Sequence, residues 1–287
     1  MPELTDLSYV RALCEKYDFA LSKGFGQNFI VNPGLPPKIV DASGVDKRYG
    51  VLEIGPGIGA LSHELCERAG KVVAVELDKT LLPILDETMA RFDNFEVVSA
   101  DILKTDIPAL VREKFAGLTP IVCANLPYNI TTPAITALIE SKCFESITVL
   151  VQKEVAERLC AAPGTSAYGA FSVFMQYYTE PEYLFAVPRE CFEPQPKVTS
   201  AVLRAVVRRK PPVEVEDEKF FFRVVYAAFA LRRKTLVNSL MTAFGSQLTK
   251  EQVTQAVTSC GLEANIRGER LGLSEFAALS AEIAALL

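Results

Sequence analysis

Two hydrophobic rhythms alternate along this chain. Short, nearly unbroken apolar runs suit strands buried on both faces, and the stretches between them carry apolar residues three and four apart, as helices do. Residues 51–54, 71–75, 95–99, 121–124 and 146–151 read as strands. Residues 36–42, 61–69, 78–91, 133–140, 152–159 and 170–178 read as helices. In the third of these Asp78 can cap, and Leu81, Leu82, Leu85 and Met89 form the apolar face. An amphipathic helix over residues 8–22 comes first, then a glycine-bounded loop at Gly24-Phe25-Gly26-Gln27-Asn28. No hairpin turn joins consecutive strands before residues 183–187 and 201–207, so these two form an antiparallel edge on a mostly parallel sheet. The expected fold is α/β and doubly wound. Arg208-Arg209-Lys210-Pro211-Pro212 cannot continue a strand and marks a boundary. Beyond it only helices are expected, at residues 219–230, 235–244, 249–259 and 274–285. The chain thus divides into residues 1–210 and a smaller all-helical domain, 211–287.

The first strand runs straight into Gly55-Pro56-Gly57-Ile58-Gly59, followed by a helix. A glycine turn there lets a ligand approach the backbone, and the helix N-terminus adds unpaired N–H groups. On its own this turn fits an ordinary tight bend, a dinucleotide site or an S-adenosylmethionine site. The next two strands narrow the choice. One ends in Glu76, 21 positions after Gly55, where an acid suits a ribose diol. The other ends in Asp101, an acid placed to take an adenine amino group.

The fourth strand ends in Asn125-Leu126-Pro127-Tyr128. An adenine amino group is a poor nucleophile, because its lone pair is delocalised into the ring. Two acceptors facing its hydrogens draw the nitrogen toward a tetrahedral shape. Asn125 offers a side-chain oxygen and Leu126 a backbone carbonyl, aimed by the turn that Pro127 fixes. Tyr128 can stack on the base, a contact of roughly 1–3 kcal/mol. A base taken out of its stack needs a second wall. Phe192, in the proline-stiffened Phe192-Glu193-Pro194-Gln195-Pro196-Lys197 segment, is the candidate. The pattern fits methyl transfer from a sulfonium donor, a Rossmann-like methyltransferase in which positioning supplies roughly 7–11 kcal/mol in favourable cases.

Composition changes this picture little. Of 287 residues 49% are hydrophobic and 23% charged, enough for a full core. Residues 1–17 hold no apolar run, so neither a signal peptide nor a membrane span is expected. The seven cysteines form no C-x-x-C pair, and the single histidine, His63, rules out most triads and histidine-rich metal sites; no metal is expected. The seven thiols read as small buried hydrophobes in a reducing cytoplasm. A net charge of −5 argues against nucleic acid, but it is uneven: residues 1–207 carry −7 and residues 208–287 carry +2.

Taken together these residues resemble the ribosomal RNA adenine dimethyltransferase family, most closely its bacterial small-subunit branch. The matching stretches include Gly26-Gln27-Asn28-Phe29, Glu53-Ile54-Gly55-Pro56-Gly57, Val75-Glu76-Leu77-Asp78, Asp101 and Asn125-Leu126-Pro127-Tyr128-Asn129-Ile130. They continue with residues 152–159, Phe192-x-Pro194-x-Pro196-Lys197-Val198, and Arg232-Arg233-Lys234-Thr235-Leu236. The resemblance implies N6,N6-dimethylation of two adjacent adenines in a terminal hairpin of small-subunit rRNA, within the immature small subunit. It implies that Asn28, Ile30, Gly55, Gly57, Glu76, Asp101 and Asn125 bind S-adenosylmethionine, and that the helical domain helps bind RNA. Lys197, Arg232, Arg233 and Lys234 are the RNA-contact candidates. A cytoplasmic monomer is expected. A large-subunit dimethylase that confers antibiotic resistance, and a non-catalytic RNA-binding assembly factor, are the alternatives.

Overall fold

A computed structural model describes residues 4–19 and 28–287. The glycine loop at residues 24–27 and the end of the helix expected over 8–22 lie outside the described residues; the described part of that helix is Leu7–Lys16, capped by Asp6. The chain forms two compact units. One comprises Met1–Ala156 and Glu182–Val207, the other Glu157–Pro181 and Arg208–Leu287. The division therefore falls close to the proline-marked boundary, with one correction: residues 157–181 join the C-terminal unit. Hydrogen bonds within that unit explain the assignment. The Tyr168 hydroxyl donates to the Leu271 carbonyl, the Arg208 backbone N–H to the Tyr178 carbonyl, and the Gly164 N–H to the Glu269 carbonyl.

Among the described residues nine strands run in chain order: β1 (Phe29–Ile30), β2 (Tyr49–Ile54), β3 (Lys71–Glu76), β4 (Phe95–Ser99), β5 (Thr119–Asn125), β6 (Ser146–Gln152), β7 (Thr179–Val187), β8 (Phe192–Glu193) and β9 (Ser200–Val207). Seven form one sheet in the order β4-β3-β2-β5-β6-β9-β7. The pairs β3/β4, β2/β3, β2/β5 and β5/β6 are parallel, and β9 runs antiparallel to β6. The doubly wound, mostly parallel sheet with an antiparallel strand near one edge is the architecture the hydrophobic pattern implies. β1 and β8 form a separate antiparallel ribbon, with Ile30 opposite Phe192.

The parallel strands are apolar because both faces are covered: after its first residue β2 is buried throughout, as is β3. From β2 the chain winds outward through β3 to β4, then returns to the other side of β2 as β5. Strand order reverses there, and open α/β sheets place ligands at such a point, beyond the carboxyl ends of the strands. Helix Ala60–Arg68 follows β2. The helix expected over 78–91 is shorter. Asp78 caps a 3-10 turn, Lys79–Leu81, and the α-helix spans Leu82–Thr88.

In the C-terminal unit the helices are Ala170–Tyr178, Glu218–Phe229, Leu236–Phe244, Lys250–Ser259 and Leu273–Ala284. Thr249 and Gln252 form a reciprocal capping box, as their spacing predicts. Phe221, Phe244 and Phe276 are fully buried there. Among the described residues no helix is long and apolar enough to cross a membrane.

Candidate active site

One cavity gathers the carboxyl ends of β2, β3, β4 and β5. It is lined by Asn28 and Ile30, by the glycine turn, by Glu76 and Asp101, and by Asn125 to Ile130. All the residues assigned to cofactor binding from the sequence, and Leu126, Pro127 and Tyr128, line this single space.

The glycine turn is built from left-handed backbone. Gly55, Gly57 and Gly59 have φ of +68°, +61° and +94°. At Gly57 a Cβ would also meet the Phe29 ring at 3.0–3.1 Å, so the position needs glycine for conformation and for space. Gly59 precedes helix Ala60–Arg68 without any side-chain cap.

Glu76 ends β3 and is buried. Its carboxylate accepts the Asp78 backbone N–H at 2.8 Å. Burial raises its pKa, while the backbone amides of Asp78, Gly57 and Leu77 pull the other way. Asp101 follows β4 as the cap of the 3-10 turn Ile102–Lys104, accepts the Leu103 N–H at 3.0 Å and lies 3.5 Å from Lys104. Leu77 and Leu103, both on the lining, are among the exposed large hydrophobics of the chain.

Glu53 was not legible as a site residue. It is 1% exposed, lines the cavity, and accepts the Ser62 hydroxyl at 2.6 Å. Burial pushes its carboxyl up to about 8. The signal was available: Glu53 is the lone charged residue in an otherwise apolar strand. Ser200, which holds Tyr128, gave no comparable signal.

The Asn125-Leu126-Pro127-Tyr128 turn is locked to its surroundings. The Asn125 side-chain N–H donates to the Asn28 carbonyl at 3.2 Å, which leaves the amide oxygen as the end that can accept. The Leu126 N–H donates to the Leu150 carbonyl of β6. The Pro127 carbonyl takes the Ile130 N–H and the Thr131 hydroxyl, so the chain bends into a 3-10 turn, Tyr128–Ile130, and then helix Thr131–Glu140. Among the described residues none donates to the Leu126 carbonyl within this turn. The Tyr128 hydroxyl lies 2.6 Å from that of Ser200, and burial raises the phenol pKa.

The second wall is corrected. Phe192 is 1% exposed and does not line the cavity. It belongs to the buried cluster that holds Ile30, Cys123, Leu150 and Val202. Pairing of β8 with β1 draws its backbone onto the core instead of leaving a ring over the opening.

The basic candidates are placed separately. Lys197 is exposed in the first unit. Arg232, Arg233 and Lys234 are exposed in the turn between helices Glu218–Phe229 and Leu236–Phe244. Arg232 donates to the Ser166 carbonyl and lies 3.8 Å from Glu269, so its charge is partly engaged within its own unit.

Electrostatically the cavity is acidic: Glu76 and Asp101 line it with Glu53, whose raised carboxyl holds its proton below about pH 8, and no Lys, Arg or His does among the described residues. That balance disfavours a pyrophosphate and suits a ligand that carries positive charge. Two carboxylates, Glu76 and Asp101, line the cavity beside apolar side chains and share its space with Asn125.

A family model described as ribosomal RNA adenine dimethylase matches residues 19–282. The chain is 48% identical over 273 residues to a ribosomal RNA small subunit methyltransferase A from Geobacillus sp. (strain WCH70), covering 94% of each chain. It is 49% identical over 280 residues to the protein of that name from Streptococcus gordonii, covering 96% of this chain and 97% of the other. Among solved structures it is similar to a dimethyladenosine transferase from Plasmodium falciparum (TM-score 0.75, 24% identity, 90% of this chain and 98% of that one). It is also similar to the 23S rRNA methyltransferase ErmE (TM-score 0.68, 25% identity, 90% and 100%). With the family model spanning most of its length, this chain belongs to the ribosomal RNA adenine dimethylase family.

Proposed function

We propose that this protein transfers methyl groups from S-adenosylmethionine to N6 of two adjacent adenines in a terminal hairpin of small-subunit rRNA. Immature small subunits are its substrate, and it works as a cytoplasmic monomer. The observation that carries this reading is the tie of the Asn125 amide nitrogen to the Asn28 carbonyl, which leaves the amide oxygen as the end available to a ligand in a cavity shared with Tyr128 and Glu76.

In this reading Glu76 accepts from the ribose hydroxyls and Asp101 from the adenine amino group, with Leu77 and Leu103 beside the ring. Bound S-adenosylmethionine supplies an electrophilic methyl on a sulfonium. The protein contributes geometry. In the first transfer the Asn125 oxygen and the Leu126 carbonyl accept the two amino hydrogens of the target base and localise the nitrogen lone pair. In the second only one hydrogen remains to be accepted, and N6 gives up one proton for each methyl it gains. Tyr128 holds the ring plane, and Pro127 keeps the two acceptors in register. Effective alignment of this kind is worth roughly 7–11 kcal/mol in favourable cases. Arg233 and Lys234, with Lys197, supply phosphate contacts.

Relatives named as small-subunit methyltransferases, at 48–49% identity, support the small subunit over the large. Offering immature small subunits and naked large-subunit RNA side by side, with labelled cofactor, tests the choice. Label confined to the small subunit is expected; label confined to large-subunit RNA would overturn the assignment.

A further inference from the structure

Tyr128 is held at both ends. Its backbone lies in the 3-10 turn after Pro127, and its phenol oxygen is 2.6 Å from the Ser200 hydroxyl. Ser200 is fully buried, opens β9 and pairs with Gln152 of β6. The Lys153 N–H donates to the adjacent Thr199 carbonyl at 3.0 Å, which pins this end of the strand. A buried hydroxyl without a partner is unfavourable, and the partner here is Tyr128. A stacking ring has two soft torsions, and a hydrogen bond at its far end restrains both. Burial raises the phenol pKa, which favours the neutral hydroxyl that this bond uses.

We propose that Ser200 is a positioning residue: by holding the Tyr128 hydroxyl it sets the plane of the ring on which the target base stacks. This rests on the adenine-methylation reading above. Ser200 does not line the cavity and acts only through Tyr128. The base then meets a wall already oriented, and its entry does not have to order the ring.

Five variants test this in single-turnover transfer to immature small subunits, with cofactor binding measured by calorimetry. Tyr128→Phe keeps the ring and removes the hydroxyl; Ser200→Ala removes its partner. Each is expected to slow transfer about tenfold, the loss of one ordinary hydrogen bond, while the cofactor Kd stays within about twofold. The double variant is expected to be no slower than the slower single one, because both remove the same contact. Ser200→Thr, which keeps a hydroxyl, is expected to recover most of the rate. Wild-type rates for Ser200→Ala, or losses that multiply in the double variant, would overturn the proposal. Tyr128→Ala separates the two layers. If it loses transfer while Ser200→Ala does not, base stacking stands and Ser200 positioning falls. If it transfers normally, stacking itself is wrong and the positioning role falls with it.

Discussion

Glu53 shows how one side chain couples the site to the stability of the sheet. Its carboxyl is pushed up to about 8 by burial, partly opposed by the Ser62 hydroxyl, and Glu76 adds to the rise. Cys66 and Cys123, which feel its charge, have their own thiols pushed up by burial. Between the ordinary carboxyl range and about 8, the folded protein keeps a proton that the unfolded chain gives up. The stabilisation is fully present below the unfolded pKa and is lost as pH rises through the folded one. Glu53→Gln removes this titration and keeps an acceptor for Ser62. Its Tm is expected to fall less than the wild-type Tm between about pH 5 and about pH 9; parallel curves would contradict the assignment. Glu76→Ala, by contrast, is expected to raise the cofactor Kd at least about tenfold, as loss of a hydrogen bond to a charged group does. Isothermal calorimetry reads that directly, and an unchanged Kd would remove Glu76 from the ribose site. Glu76 was readable because its distance from the glycine turn carries meaning. The Tyr128–Ser200 bond was not, since nothing in a serine at a strand start says which distant hydroxyl it meets.

At the scale of elements, the glycine turn is the part most sensitive to a single methyl group. Gly57→Ala forces a side chain into left-handed backbone, about 1–2 kcal/mol, and against the Phe29 ring. Urea denaturation is expected to show that loss, with weaker cofactor binding; a variant of wild-type stability would mean the turn relaxes freely. The pattern of buried strands made β2, β3, β5 and β6 legible, because both faces of a central parallel strand must be apolar; β4, half-buried at the sheet edge, showed through Phe95, Val97 and Val98. It missed the short β1/β8 ribbon, where two residues on each side carry no periodicity. That omission misplaced Phe192. An aromatic flanked by prolines and charges looks exposed, and only its pairing with Ile30 shows that it is core.

At the scale of the whole molecule, residues 1–207 carry −7 and residues 208–287 carry +2, and the proposed RNA contacts draw on the exposed basic turn of the C-terminal unit. The joint reversal Arg233→Glu, Lys234→Glu is expected to weaken binding to immature small subunits and reduce the salt slope by about 2, with the cofactor Kd unchanged. Binding with an unaltered salt slope would remove this turn from the RNA surface. Pro211-Pro212 is a local signal close to where the second unit resumes at Arg208, whereas the grouping of residues 157–181 with that unit leaves no local mark. Tertiary hydrogen bonds such as Tyr168 to Leu271 join segments about a hundred residues apart, which local patterning cannot register.

Mass spectrometry of small-subunit rRNA, after incubation of immature subunits with labelled S-adenosylmethionine, tests the central claim most directly. The wild-type protein is expected to yield two adjacent N6,N6-dimethyladenosines, and Asn125→Ala, folded and with unchanged Tm, at least about a hundredfold less. Equal yields from the two proteins, or label on any atom other than adenine N6, would contradict it.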